Sequence, residues 1–325
     1  MNKCLIKVTA MLVLSLLVVG CNSLMEEDTP ASDSGKIQVV TTIFPLSDII
    51  LQVGGEKVEV NNLLEAGDSP HTFDPTVEQA RQIARSEFLF YIGGGLDDWV
   101  VEMGKEEEVT LVSVTEQLDE DVLLDYESEH LEGEHHGNRE DHDCGGDSHE
   151  HHHGAFDPHL WLDPILVKEK IAPLAAEKLS GAVPAKEEYF AENLEEFQSE
   201  LQELDREIEE AVESIQDREF ISYHSAWNYY ARRYGFEEVA SVEEFPGREP
   251  SAKWLAELAG LAEEHGIDVI FAEPQLREDN AQVIAEEIEG EVLILDPLGG
   301  EEIPGRDSYL ELIRYNTDVF RRGLE

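Results

Sequence analysis

Residues 185–216 restrict the possible folds of this chain more than any other segment. They contain no Gly or Pro, so nothing within them interrupts a helix. Their apolar side chains recur at spacings of three and four, as on one face of an amphipathic helix: Phe190, Leu194, Phe197, Leu201, Leu204, Ile208, Val212 and Ile215. Such a helix is about 48 Å long. The apolar stripe is short for a coiled coil, which favours a rigid strut between two domains.

Short β-branched runs alternate with helix-like segments on both sides of this helix, which is the pattern of α/β units. Four strands are predicted in the first half, at residues 37–42, 58–64, 88–92 and 110–114. Four more are predicted in the second half, at residues 220–223, 238–242, 268–272 and 292–295. We therefore expect an α/β fold with two lobes, each a four-stranded sheet flanked by helices, joined by one long rigid interdomain helix.

The amino terminus has the layout of a secretory signal. Residues 1–20 contain Lys3, Lys7 and an apolar run that is too short to span a bilayer. Val18 to Cys21 resemble a bacterial lipobox, so we expect lipid attachment at Cys21; an ordinary signal with an incidental cysteine is the alternative. Residues 21–35 are polar and suit a flexible tether. The remaining predicted parts are a first lobe over 36–184, the linking helix over 185–216 and a second lobe over 217–325.

Residues 119–153 interrupt the first lobe. They carry thirteen acidic residues, eight histidines and almost no apolar residue after Leu131, so they cannot bury a core. We predict that this His/acid-rich insertion is disordered. Its histidines are candidate weak metal ligands: His130, His135, His136, His142, His149, His151, His152 and His153.

The formal net charge of −50 argues against nucleic acid as a partner. Adaptation to high salt and attraction of cations both fit this acidity, and we favour adaptation because the acidic residues are spread over every predicted helix. The cysteines are Cys4, Cys21 and Cys144. Cleavage of the signal and lipidation would leave only Cys144, so no intramolecular disulfide is expected.

Four histidines lie outside the insertion. His71 and His224 follow predicted strands and His159 follows the insertion, whereas His265 ends a predicted helix and is left out of the candidate site. Ligands of open α/β sheets bind beyond the carboxyl ends of the strands. Glu273 and Asp296 also lie at such ends, in the second half.

Imidazole nitrogens together with a carboxylate suit zinc. Each histidine alone is equally compatible with a loop or core residue, but three of them at such positions, divided between two halves, favour a metal site. Trp161 and Trp227 are close in sequence to candidate ligands and are expected to keep the site dry. The glycines of IGGGLDDWV lack nucleotide-binding spacing and predict a tight turn, with Trp99 and Val100 packing in the first lobe.

At these motifs the sequence resembles the solute-binding proteins of zinc-type metal ABC importers. The matching stretches are TTIFPLSDI, SPHTFDPT, DPHLWLDP, YHSAWNYYARRYGF, REPSAKWL, VIFAEPQ and LDPLG. The resemblance implies two α/β lobes bridged by one long helix, with the metal between them. It implies His71, His159, His224 and Asp296 as ligands, with Glu273 nearby as an outer carboxylate or an alternative ligand.

The same resemblance implies an extracytoplasmic lipoprotein, monomeric and without enzymatic activity, that captures Zn(II) and delivers it to an ABC permease and its ATPase. Manganese-type members usually have Glu where this chain has His224, which favours zinc. The insertion is expected to capture zinc weakly near the site, or to be only a solvated loop. The alternatives are manganese or iron as the ligand, an adhesin-like surface role, and a zinc hydrolase with an open coordination position and Glu273 as general base.

Overall fold

The first sheet contains β1 (Ile37–Thr41), β2 (Val58–Asn62), β3 (Phe88–Tyr91) and β4 (Thr110–Ser113), in the order β2-β1-β3-β4 with every pair parallel. The computed structural model describes residues 35–105, 107–125, 156–243, 247–276 and 279–325. Because all four strands are parallel, their carboxyl ends lie along one edge of the sheet.

The second sheet repeats this topology. It contains β5 (Glu219–His224), β6 (Glu237–Glu243), β7 (Val269–Ala272) and β8 (Glu291–Ile294), in the order β6-β5-β7-β8 and again parallel. Every strand begins and ends within two residues of its prediction, and the predicted α/β fold class with two four-stranded sheets is confirmed.

Helices cover the faces of both sheets. Those of the first half are Phe44–Gly54, Val77–Ala84 and Trp99–Gly104, followed by Pro164–Leu166, a π-helical turn Val167–Ile171 and Ala172–Ala182. Those of the second half are Asn228–Tyr234, Ala252–His265, Asp279–Glu287 and Tyr309–Leu324. Several begin at side-chain caps, among them Ser251 and Ser308, whose hydroxyls accept hydrogen bonds from free backbone N–H groups of the first turn.

The linking helix runs from Glu187 to Val212 and is about 39 Å long. It is shorter than the predicted 185–216 at both ends, since residues 184–186 form a 3₁₀ turn before it and residues 213–216 lie beyond its last helical residue. Its apolar stripe is buried, and it packs on Phe44–Gly54, Ala172–Ala182 and Tyr309–Leu324. Asn193 Nδ2 donates to Val53 O in the first half, whereas Asp205 pairs with Arg233 in the second.

A single hydrophobic core extends from the first sheet past the linking helix to one face of the second sheet, and a smaller core covers the other face of that sheet. Residues 36–325 accordingly form one compact unit. The predicted signal, tether and Cys21 lie outside the described residues. Among the helices that are described, none is long and apolar enough to cross a membrane.

The predicted insertion begins later than residue 119. Residues 119–125 are described, and Asp125 forms an antiparallel bridge with Phe156. Leu124 O also accepts a hydrogen bond from Asp157 N. The sequence suggested otherwise because these residues are acidic, but Leu123 and Leu124 pack against the core. The eight insertion histidines and Cys144 all lie outside the described residues.

Candidate metal centre

Three of the four predicted ligands come together at the carboxyl edges of the two sheets. His71 is in a 3₁₀ turn, Pro70–Thr72, that follows β2, and His159 directly precedes the 3₁₀ turn Leu160–Leu162. His224 is the last residue of β5. The site is therefore assembled from two segments of the first half and one of the second.

The three imidazoles converge through the same ring nitrogen. His159 Nε2 lies 3.3 Å from His71 Nε2 and 3.3 Å from His224 Nε2. One ligand nitrogen from each residue lies within 4.8 Å of the others. His159 and His224 are buried and His71 is partly exposed. In the part of the chain that the structure describes, this is the one cluster of three or more possible ligands.

The separation of these nitrogens matches tetrahedral zinc. Ligands that each lie about 2.0–2.1 Å from a tetrahedral zinc ion are about 3.3–3.4 Å from one another. The two Nε2 separations of 3.3 Å equal this value. The geometry fits one four-coordinate ion that contacts all three rings.

A buried carboxylate fixes the orientation of His159. Its Nδ1 lies 2.7 Å from Asp157 Oδ1, which also accepts a hydrogen bond from the backbone N–H of His159. Asp157 Oδ2 accepts from Asn228 Nδ2, and Tyr229 donates its hydroxyl to Asp157 O. A carboxylate at Nδ1 keeps that nitrogen protonated and leaves Nε2 as the ligand atom.

Glu273 has the same relation to His224. Its Oε1 lies 2.8 Å from His224 Nδ1, and both residues are buried. Burial alone would lower the pKa of His224, but the carboxylates of Glu273, Glu238 and Glu243 outweigh it and raise that pKa above its ordinary value. The described residues give neither oxygen of Glu273 a well-aligned hydrogen bond, so its closest polar contact is the ring of His224.

Asp296 does not join the histidine cluster. Its Oδ1 accepts hydrogen bonds from Gln275 Nε2, Leu298 N and Gly299 N, and its Oδ2 accepts from Arg306 Nη1 at 2.8 Å. The assignment of Asp296 as fourth ligand therefore differs from the arrangement in the structure. Arg306, ten residues further along the chain, pairs with this carboxylate, which lies outside the cluster of three histidines.

The histidines line a small cavity. Its other lining residues include Ser69, Trp161, Glu273 and Gln275, and its volume is about 20 Å³, measured as the space open to the centre of a water molecule. That space is enough for a single water molecule. The centre is therefore suited to an ion with at most one additional small ligand.

The two tryptophans that were expected to dry the site have different positions. Trp161 lines the cavity, its ring centroid lies 5.4 Å from that of His159, and its Nε1 donates to Pro297 O in the second half. Trp227 packs instead on Phe320 in the core and does not line the cavity. Of these two tryptophans, Trp161 alone is in a position to limit the access of water to the site.

The glycine-rich turn after β3 supports the loop of His71. Gly93 has φ 82°, and a Cβ there would lie 2.5 Å from two hydroxyl oxygens, so this position requires glycine. Burial raises the pKa of Asp97 to about 6, and its carboxylate accepts the backbone N–H of Gly93. Trp99, just beyond, donates Nε1 to Pro70 O, next to His71.

Two side chains of the centre were not identified from the sequence. Asp157 lies two residues before His159, and this Asp-x-His spacing was the only signal available for it. Gln275 lies two residues after Glu273 and carried no signal of its own. His265, left out of the site, lies beside Glu219 at the end of a surface helix.

Comparison with known proteins identifies a family for the chain. Residues 39–323 match the family described as zinc-uptake complex component A, periplasmic. The zinc-binding protein AdcA of Streptococcus pyogenes serotype M3 is 29% identical over 296 residues, which are 88% of this chain and 56% of AdcA. The chain thus spans just over half the length of that relative.

Two further proteins agree with this match. The high-affinity zinc uptake system protein ZnuA of Bacillus subtilis is 29% identical over 315 residues, 95% of this chain and 94% of that protein. The crystal structure of Zn(II)-bound AdcA from Streptococcus pneumoniae has a TM-score of 0.69 and 26% identity, and the match covers 89% of this chain and 58% of that one. The family indicated by the sequence motifs is confirmed: the chain belongs to the zinc-uptake complex component A family.

Proposed function

We propose that this protein binds one Zn(II) ion outside the cytoplasm, through Nε2 of His71, His159 and His224, and delivers it to an ABC permease driven by an ATPase. The observation that carries the proposal is the pair of 3.3 Å separations between the three Nε2 atoms. Family membership supports the transport role, because the family is described as a component of a zinc-uptake complex.

The ligand chemistry favours zinc over manganese or iron. Three imidazole nitrogens are a donor set for zinc, whereas manganese prefers oxygen ligands. Two buried carboxylates, Asp157 and Glu273, contact the Nδ1 atoms and not the Nε2 atoms that would hold the ion. Their negative charge would offset the positive charge of a bound zinc ion.

The position of Glu273 speaks against a hydrolase. A general base must reach the water that is bound to the metal. Glu273 lies against Nδ1 of His224, on the ring edge away from the ion, and that contact occupies it. If Asp296 were the fourth ligand, no water could bind to the metal and hydrolysis would have no nucleophile. In the structure Asp296 pairs with Arg306 instead. The separation of base from ion favours binding without catalysis.

The anchoring and the insertion complete the proposal. Lipid attachment at Cys21 would hold the protein beside its permease, where a released ion travels only a short distance. The eight histidines of the insertion would raise the local concentration of zinc near the centre. Both features rest on the sequence, since both segments lie outside the described residues.

Metal analysis of the full chain, purified in detergent and competed with zinc, manganese and iron, tests the proposal. We expect one tightly bound zinc ion that His159→Ala removes and that His265→Ala, a change at a surface histidine, leaves in place. The His159→Ala loss should exceed the 10- to 100-fold that changes behind a metal ligand typically cause. Additional weak ions should disappear when residues 127–153 are deleted. Tight zinc binding that survives His159→Ala would refute the site.

A further inference from the structure

The side-chain amide of Gln275 lies at the metal centre and is only half satisfied. Gln275 lines the cavity together with the three histidines, and its Nε2 donates to Asp296 Oδ1 at 2.9 Å. Its Oε1 is fully buried and has no hydrogen-bond partner among the described residues. A buried carbonyl without a donor destabilises a fold, so such an atom in a native site requires an explanation.

Asp296 fixes which way this amide faces. A carboxylate only accepts hydrogen bonds, so the amide must present its NH₂ group to Asp296 and its oxygen to the other side. Asp296 is itself immobilised by Leu298 N, Gly299 N and Arg306 Nη1. The amide therefore cannot flip without placing its oxygen against a carboxylate oxygen.

The coordination of the ion lacks one ligand. Zinc in proteins is four-coordinate, and the described residues supply three nitrogens. Oδ2 of Asp296 is paired with Arg306, and Glu273 contacts the ring of His224, so neither carboxylate is positioned as the fourth ligand. The cavity beside the histidines has room for one water molecule.

We propose that Gln275 Oε1 accepts a hydrogen bond from a water molecule that is the fourth ligand of the ion, with Asp296 and Arg306 holding the amide in place. This inference rests on the proposed zinc binding. A water on zinc is polarised and donates strongly, and a neutral amide accepts from it without adding a further negative charge beside Asp157 and Glu273. Gln275 and Asp296 are positioning residues and not ligands.

This arrangement also affects the choice of metal. A water held by a neutral amide completes a tetrahedron but gives manganese neither the carboxylate oxygens nor the higher coordination number that it prefers. If Asp296 reached the ion, one carboxylate would be added to the ligand set. The Asp296–Arg306 pair therefore keeps that carboxylate away from the metal and favours zinc.

The test compares Gln275→Leu with the matched control Gln198→Leu in the full chain. Gln198 is partly buried on the linking helix and donates Nε2 to Lys168 O at 2.8 Å. We expect Gln275→Leu to weaken zinc binding about tenfold, the effect of one hydrogen bond to a polarised group. It should leave the melting temperature of the zinc-free protein nearly unchanged, because removal of the unsatisfied buried carbonyl offsets the lost hydrogen bond to Asp296, which keeps its two backbone donors. Gln198→Leu should lower that temperature and leave the zinc affinity unchanged.

A crystal structure of the zinc-loaded protein gives the second measurement. We expect one water on the zinc ion, about 2.7–3.2 Å from Gln275 Oε1. Direct contact of zinc with Gln275, with Asp296 or with a residue of the insertion would overturn the inference, and so would an unchanged zinc affinity of Gln275→Leu. If only this inference is wrong, His159→Ala still abolishes tight zinc binding. If the proposed function is wrong, His159→Ala has no effect on zinc binding.

Discussion

Replacing Glu273 by Gln removes one negative charge from behind His224 and leaves the shape of the side chain almost unchanged. Oε1 of Glu273 lies 2.8 Å from His224 Nδ1. With a zinc–nitrogen distance of about 2.0 Å and one imidazole ring between them, the ion and this oxygen would be roughly 6.5 Å apart. At an effective dielectric constant of about 20, a dication and a carboxylate at that distance attract by about 5 kcal/mol.

The proton competes for the same carboxylate. An imidazolium charge about 4 Å from the carboxylate gains about 4 kcal/mol under the same assumptions. The attraction of Glu273 therefore adds only about 1 kcal/mol net to the binding free energy of zinc where zinc must displace that proton. It adds up to about 5 kcal/mol where His224 is already neutral. Glu273 contributes to the raised pKa of His224, so acidic conditions approach the lower figure.

The assay is zinc affinity by chelator competition at pH 7.5 and pH 5.5. At pH 7.5 Glu273→Gln should weaken zinc binding about 10- to 100-fold, as expected for a carboxylate behind a ligand histidine. At pH 5.5 the loss should be several-fold smaller, because the variant also removes the charge that keeps His224 protonated. Glu219→Gln is the matched control, since Glu219 lies 2.8 Å from the Nδ1 of His265 on the surface. An equal loss at both pH values, or none, would refute the electrostatic argument.

Two further predictions concern stability and motion. Burial raises the pKa of Glu238 to about 7, so the folded zinc-free protein binds this proton more tightly than the unfolded chain, and its free energy of unfolding falls as the pH rises from 4.5 to 7. Glu238→Gln removes that fall. Between pH 4.5 and pH 8 the free energy of unfolding of the variant, measured in urea, should rise by up to about 3 kcal/mol relative to that of the wild type. The linking helix is bonded to Val53 on one side and Arg233 on the other, so zinc release should involve a modest tilt of the lobes. Small-angle scattering should accordingly give nearly equal radii of gyration with and without zinc, and a large increase on zinc removal would contradict this.

The inner strands could be predicted from the sequence because they are short β-branched or aromatic runs that are buried on both faces, as in β1, β3 and β7. The three histidines could be predicted because parallel strands bring their carboxyl ends to one edge, whatever the details of the loops. These features depend on local patterns and on one general property of α/β sheets.

The pairing of Asp296 could not be predicted in the same way. A carboxylate at a strand end is an equally good metal ligand or ion-pair partner, and the difference depends on how the loop to Arg306 folds back. The inward position of Trp227 likewise depends on Phe320, which lies 93 residues later in the sequence. Such outcomes are set by long-range packing, about which a sequence motif carries no information.

The contacts of Tyr309 have a consequence for the order of folding. This first residue of the last helix donates its backbone N–H to Asp48 Oδ2 and its hydroxyl to Trp161 O, both in the first half. The core is continuous from the first sheet to Phe320. The packing of the first lobe is therefore complete only after the segment that contains Tyr309 has been synthesised. The two lobes share this core and should unfold together in one transition.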